Sequence, residues 1–133
     1  MEKKLKIANA QAFWGDRPGA AATLLAQQPD LDFITLDYLA EVSMSIMAIQ
    51  REKDEKAGYA KDFVEVVRSL IPHWQSGSKV RLVTNAGGLN PESCALACKL
   101  TLESEGCADV KIAYVSGDNV YDLLIKAPEG AFA

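Results

Sequence analysis

Asp37 and Glu41 stand four residues apart just past an apolar run, Asn85 and Gly87-Gly88 stand just before Asn90-Pro91, and Gly117-Asp118 closes a further apolar run. If Asp37 opens a helix, carboxylates at i and i+4 share one face, where they suit acid/base work or the sharing of a proton or a cation. Acid/base work near neutral pH needs one of them pushed upward by burial or by a neighbouring acid. The tract from Val83 to Pro91 reads as a buried strand running through two glycines into a helix, with Asn90 as a favoured N-cap and Pro91 at the first helical position. Glycines let backbone amides approach a ligand closely and the new helix aims its positive end at the same spot, so the turn suits a carboxylate or thioester oxygen. Trp14, Gly15 and Asp16 make a fourth cluster, with an indole to stack on a ligand or cover the core and an acid to orient polar groups.

Each of these residues also has a purely structural role open to it. Asp16 and Asp37 suit the caps of the helices that follow them, as Asn90 does for its own. Gly87-Gly88 is followed by neither Lys-Ser nor Lys-Thr and lacks the G-x-G-x-x-G spacing, so it is neither a P-loop nor a dinucleotide fingerprint. A tight strand-to-helix turn accounts for it as well as a ligand loop does. The lone histidine, His73, sits in a long helical stretch, and no G-x-S-x-G elbow occurs. Cys94 lies one turn into the Pro91 helix, where the dipole favours thiolate, although a small buried cysteine is the commoner case. Asp16, Asp37, Glu41 and Asp118 are oxygen ligands of the kind a divalent cation takes, but no metal site is assigned.

The elements that would position these residues alternate. Residues 4–8, 30–37, 79–84 and 110–115 read as strands, and 18–27, 91–105 and 119–126 as helices. Between the second and third strands lie two more helices, one with the stripe Leu39, Val42, Ile46 and Ile49, the other with Phe63, Val66, Val67, Leu70, Ile71 and Trp74. The expectation is an α/β, three-layer, Rossmann-like or flavodoxin-like parallel sheet in the order 2-1-3-4, because the two-helix connection is long enough to recross strand one. That order sets the loop around Gly15 beside the loop around Gly87. One domain is expected over 1–127, with 128–133 a flexible tail. Fourteen basic against eighteen acidic residues, a formal charge of −4, offer no nucleic-acid or membrane surface. No signal-peptide core or membrane-length apolar run is present, so a cytoplasmic setting is expected. Three cysteines without metal-site spacing argue against a disulfide framework.

Five separated motifs together resemble the acyclic terpene utilisation family, in its N-terminal AtuA-like domain. They are residues 13–18 (Phe-Trp-Gly-Asp-Arg-Pro), 37–44 (Asp-Tyr-Leu-Ala-Glu-Val-Ser-Met), 58–63 (Gly-Tyr-Ala-Lys-Asp-Phe), 85–91 (Asn-Ala-Gly-Gly-Leu-Asn-Pro) and Gly117-Asp118. The resemblance spans roughly residues 4–119. It implies a place in the breakdown of citronellol- and geraniol-like terpenes, whose later intermediates are acyl-CoA thioesters, without attaching a reaction. It points to an enzyme domain, a lyase/hydratase or a hydrolase, acting on a carboxylated or acyl-CoA-linked intermediate. Asp37 and Glu41 are then the catalytic candidates, and Trp14, Gly15, Asp16, Asn85, Gly87, Gly88, Asn90, Gly117 and Asp118 the ligand-binding ones. A CoA thioester and a divalent cation are the cofactor candidates. The other reading is a non-catalytic ligand-binding or subunit-assembly module. Because family members are longer, a homo-oligomer or a partner chain completing the architecture is expected.

Overall fold

The computed structural model describes residues 4–131, so the ends of the expected domain and tail, 1–3 and 132–133, lie outside the described residues. The elements are β1 (Ile7–Gln11), α1 (Ala20–Gln27), β2 (Phe33–Leu36), α2 (Glu41–Lys53), α3 (Phe63–Gln75), β3 (Arg81–Thr84), α4 (Pro91–Ser104) and α5 (Tyr121–Lys126). The three strands form one parallel sheet, Ile34 facing Ala8 on one side and Leu82 on the other.

The order is β1-β2-β3, which corrects the expected 2-1-3-4. The long connection permitted a return across strand one but did not require it. The most apolar strand takes the protected centre: Ile34 and Leu36 of β2 are buried, whereas β1 and β3 alternate between covered and exposed residues. Strands laid down in sequence with crossovers of one hand send their helices to one face. In agreement, α3 packs against both α1 and α4. The other face stays open at Ile7 (61% exposed) and Val83 (56%), with the Arg81 guanidinium 5.6 Å from the Phe33 ring centre. The sheet and its helices thus make two layers where three were expected.

Two other expectations are corrected. Residues 110–115 form no strand: the Val110 amide turns back to the Cys107 carbonyl, the run makes no ladder with β3, and Ile112, Tyr114 and Val115 are exposed. On α2 the stripe Val42, Ile46 and Ile49 faces outward, and Ser43 and Met47 face the core. The α3 stripe is as expected, with Phe63, Val66, Val67, Leu70 and Ile71 buried. α4 begins where expected: Asn90 Oδ1 accepts from the Ser93 amide at 3.2 Å, and Pro91 occupies the first turn.

Candidate functional site

Because the sheet is parallel, the loops after all three strands meet at its carboxyl edge. The loops holding Gly15 and Gly87 are not neighbours as expected, since β2 lies between their strands and Tyr38 spans the gap. A shift of register between Asn9 and Gln11 marks a bulge in β1. Such bulges re-aim side chains, and Gln11 turns into the core at 1% exposure. There its Oε1 accepts from the Tyr38 hydroxyl at 2.5 Å and its Nε2 donates to the Asp16 carbonyl at 3.1 Å. The Tyr38 amide in turn donates to Asn85 Oδ1 at 2.8 Å, and Asn85 Nδ2 donates to Asp37 Oδ1 at 2.8 Å. One chain of hydrogen bonds therefore joins the ends of β1, β2 and β3. Burial, with the Asp62 carboxylate nearby, raises the Tyr38 phenol above its ordinary value, so this hydroxyl stays protonated and donating.

Of the two catalytic candidates, Asp37 enters this network and Glu41 does not. The i, i+4 premise fails because α2 starts at Glu41, behind an extended Ala40 (φ −142, ψ 173), so Asp37 lies outside the helix. Ser43 caps α2 by accepting from the Ala40 amide at 2.7 Å. Asp37 is exposed and accepts from Asn85 Nδ2 and from the Leu39 amide, and these bonds hold its carboxyl below the usual range. It is thus a fixed anion near neutral pH. Its contribution to stability is fully present above the ordinary value of 3.8 and is lost as pH falls through the lowered folded value. Asn85→Ala should move the Asp37 midpoint up toward 3.8 in a carboxyl-detected NMR titration, and an unmoved midpoint would remove Asn85 as the cause.

Asp16 closes the loop after β1, where Oδ2 accepts from the Ala12 amide and Oδ1 from the Arg17 amide. It does not cap α1, whose N-cap is Gly19. Trp14 Nε1 donates to Asp62 Oδ1 at 2.8 Å, and the indole lines a cleft of about 330 Å³ together with Gln50, Lys53 and Lys61. Gly15 turns that loop at φ +104.

The glycine turn is spoken for from within. The amides of Gly88, Leu89 and Asn90 donate to the carbonyls of Asn85, Gly58 and Gly87, and Asn90 Nδ2 clamps the carbonyls of Glu55 and Ala57. A Cβ on Gly87 would stand 2.8 Å from Pro91 Cα, and one on Gly88 2.3 Å from Met47 Sδ. Gly87 lets the turn close on Pro91 of α4, and Gly88 lets it pack against Met47 of α2 and the Gly58 carbonyl. One amide of the turn, that of Gly87, makes no such bond.

Sequence reading missed the groove beside this network. About 1270 Å³ in volume, it runs between β3, α3 and α4 on one side and residues 109–115 on the other. Leu39, Val67, Leu82, Cys98, Leu102 and Tyr114 are among its lining, and Asn85, Gly87, Gly88 and Asp118 also border it. Gly117 turns the chain at φ +112 just before Asp118, and both are exposed. The Gln11–Tyr38 bond of the network was missed as well, its two residues lying 27 positions apart.

Among the described residues no group of three or more His, Cys, Asp or Glu could hold a metal, so Asp16, Asp37, Glu41 and Asp118 are not gathered as cation ligands. His73 lies half-buried on α3. All three cysteines are free and buried. The Cys94 thiol, hydrogen-bonded to the Cys98 sulfur and buried, is held well above the ordinary thiol value, which disfavours the nucleophilic thiolate. Cys94 should resist iodoacetamide in the folded protein and react only after denaturation, as peptide mass mapping would show. Rapid native labelling at Cys94 would reverse this assignment.

Among the described residues no helix is long and apolar enough to cross a membrane. Comparison with curated proteins and with solved structures finds no match. The motifs that carried the resemblance now have places around one sheet edge and one groove, and residues 5–131, nearly the whole chain, match the family described as acyclic terpene utilisation family protein AtuA. The chain belongs to that family.

Proposed function

We propose that this domain binds a carboxylated or acyl-CoA-linked acyclic terpenoid, as part of an enzyme of terpene catabolism. The observation that carries the reading is an apolar groove of about 1270 Å³ bordered by the polar strand ends. An acyclic hydrocarbon chain gains about 0.8 kcal/mol for each methylene it buries, and the groove walls are of the right chemistry to take one. The polar head then lies near Asn85 and Asp118; with Asp37 a fixed anion beside it, the neutral carbonyl of a thioester suits this end better than a free carboxylate, while Trp14, Gly15 and Asp16 follow β1, on the far side of β2. Gly87 and Gly88 border the head by shape, and Asn90 holds the turn. A CoA thioester fits this arrangement through its acyl and pantetheine portions. With the Gly88, Leu89 and Asn90 amides already taken, the glycine turn is poorly furnished for its phosphates, which would lie outside it.

Of the reaction classes, a lyase or hydratase step suits Asp37 as the anion facing a developing positive charge or a bound water. Glu41, exposed in the first turn of α2, is the other carboxylate on that side. The non-catalytic reading draws on one observation: neither Asp37 nor Glu41 is buried, and Asp37 is shifted downward, away from the range a general acid needs at neutral pH.

Thermal shift with acetate, hexanoate, decanoate and their CoA thioesters tests the proposal. Stabilisation should climb with chain length, reaching about 2.7 kcal/mol at a hundredfold excess over Kd. Leu82→Glu, in the groove wall, should abolish the chain-length dependence. A response independent of chain length, or none at all, defeats the reading. Chain-length-dependent binding without turnover of any thioester selects the non-catalytic form.

A further inference from the structure

A cleft of about 330 Å³ opens between the loop after β1 and the segment that joins α2 to α3, and it shares no lining residue with the apolar groove. Its walls are tied in place. Trp14 Nε1 donates to Asp62 Oδ1 at 2.8 Å, which fastens the first loop to the residue before α3. On the other side the Asp54 amide donates to the Gln50 carbonyl at 3.0 Å and the Lys56 amide to Asp54 Oδ1 at 2.9 Å, so the end of α2 is closed by its own chain. Both acids of the cleft therefore serve the fold.

Three other groups in the lining do not. The Gln50 carboxamide makes no hydrogen bond with any described residue, and its Oε1 is shut away from solvent without a donor. Nearly every buried polar atom has a partner, so an idle one asks for an explanation. The terminal torsion of glutamine is broad, and a turn about it brings the amide to the cleft. Lys53 and Lys61 also make no ion pair or hydrogen bond among the described residues. The half-buried Trp14 indole supplies a flat wall in the same lining.

A carboxamide forms two parallel bonds with a ring edge that sets a donor next to an acceptor, as adenine does at N6 and N7, whereas guanine sets two acceptors there. An indole stacks on any base through its π face. An ammonium group meets a phosphate as a point charge. Two cations in the lining are matched by two anions, so net charge adds little and the base carries most of the affinity. The volume is at the lower end for a small-molecule site and suits a base with its sugar.

We infer that the Trp14 cleft binds an adenine nucleotide, with the base stacked on Trp14 and paired with Gln50, and the phosphate held by Lys53 and Lys61. The same group is offered by adenosine 5′-monophosphate and by the nucleotide end of coenzyme A. It occupies a cavity separate from the groove, so the inference stands without the terpenoid reading.

Titration calorimetry of the whole chain tests it. Adenosine monophosphate should bind saturably, guanosine monophosphate about tenfold more weakly, and adenosine within a few-fold of its monophosphate. Gln50→Leu should weaken adenosine monophosphate about tenfold and erase the preference for adenine. Lys53→Ala combined with Lys61→Ala should leave adenosine binding unchanged and bring the monophosphate down to its level. Both lysines are exposed, so this variant answers the question even if Gln50→Leu fails to fold. Leu82→Glu, in the wall of the separate groove, should leave nucleotide binding intact; its loss there would move the site to the groove and overturn the inference. Competition by coenzyme A as strong as that by adenosine monophosphate assigns the cleft to the nucleotide end of the cofactor, and weaker competition assigns it to the free nucleotide; either result upholds the inference. No saturable binding of adenosine monophosphate, equal affinity for the guanine nucleotide, or undiminished affinity in Gln50→Leu overturns it.

Discussion

Gly88→Val should lower stability by about 2–5 kcal/mol, the sum of a left-handed backbone cost near 1–2 and an overpacking cost near 1–3. Gly88 sits at φ +52, a conformation that β-branched residues avoid. Its Cβ would also meet Met47 Sδ at 2.3 Å and the Gly58 carbonyl at 2.9 Å. Against a typical total of about 5–15 kcal/mol this is a large fraction, and the melting temperature should fall by roughly 10–20 °C. Met47→Ala removes the nearer obstacle, so Gly88→Ala should cost less in that background than in the wild type. Urea denaturation of the four proteins in that cycle measures the coupling. If Gly88→Val melts within a few degrees of wild type, the turn is not packed against α2 as described. A loss of ligand response in a Gly88 variant would accordingly reflect the fold before it reflected the site.

The second large effect is expected at Tyr38, which is 1% exposed and stands edge-on to Phe63 with ring centres 6.0 Å apart. Tyr38→Ala should cost about 3–5 kcal/mol, as for other buried aromatic rings. Tyr38→Phe keeps the ring but strands Gln11 Oε1, at a cost of about 1–3 kcal/mol. Gln11→Leu combined with Tyr38→Phe removes both partners and should recover most of that loss, since two apolar groups in place of a buried pair are nearly neutral. Denaturation midpoints of the three variants decide it. A Tyr38→Phe protein as stable as wild type would mean that the hydroxyl-to-amide bond does not hold the strand ends together.

What could be read in the sequence follows from how local the signal is. The α3 stripe shows itself through a period of 3.6 within a single helix, and Asn90-Pro91 declares the start of α4 through the few residues that satisfy its first amides. The parallel α/β character followed from alternation. Strand order did not, because a long crossover allows several returns and the choice rested on how completely β2 is buried compared with β1. The face of α2 was misjudged because Met47 and the Val42 stripe are both apolar, so periodicity alone could not say which side the core would claim. For residues 110–115, β-branched composition suggested a strand, but a strand also needs a partner edge in register.

The candidate site divides in the same way. Asp37 and Asn85 were singled out separately, yet they lie 48 positions apart and their bond is a product of folding. Gly87 and Gly88 were open equally to a ligand loop and to a tight turn, because tight backbone packing selects the same residue for the same lack of a Cβ. Sequence cannot separate these two uses. The groove was invisible because its walls come from four segments, each apolar for ordinary core reasons.

The two tryptophans sit in separate surroundings and so act as independent optical probes. Trp14 is tied to the Asp62 carboxylate beside the strand ends, while Trp74 donates to the Val80 carbonyl at 3.1 Å in the groove wall. An indole near a charged acceptor and one against an apolar wall differ in emission colour and in access to iodide. With either one replaced by phenylalanine, the quantum yield of the other becomes a local gauge of polarity, so occupancy of the groove and rearrangement of the strand ends can be followed as two distinct fluorescence signals from unlabelled protein.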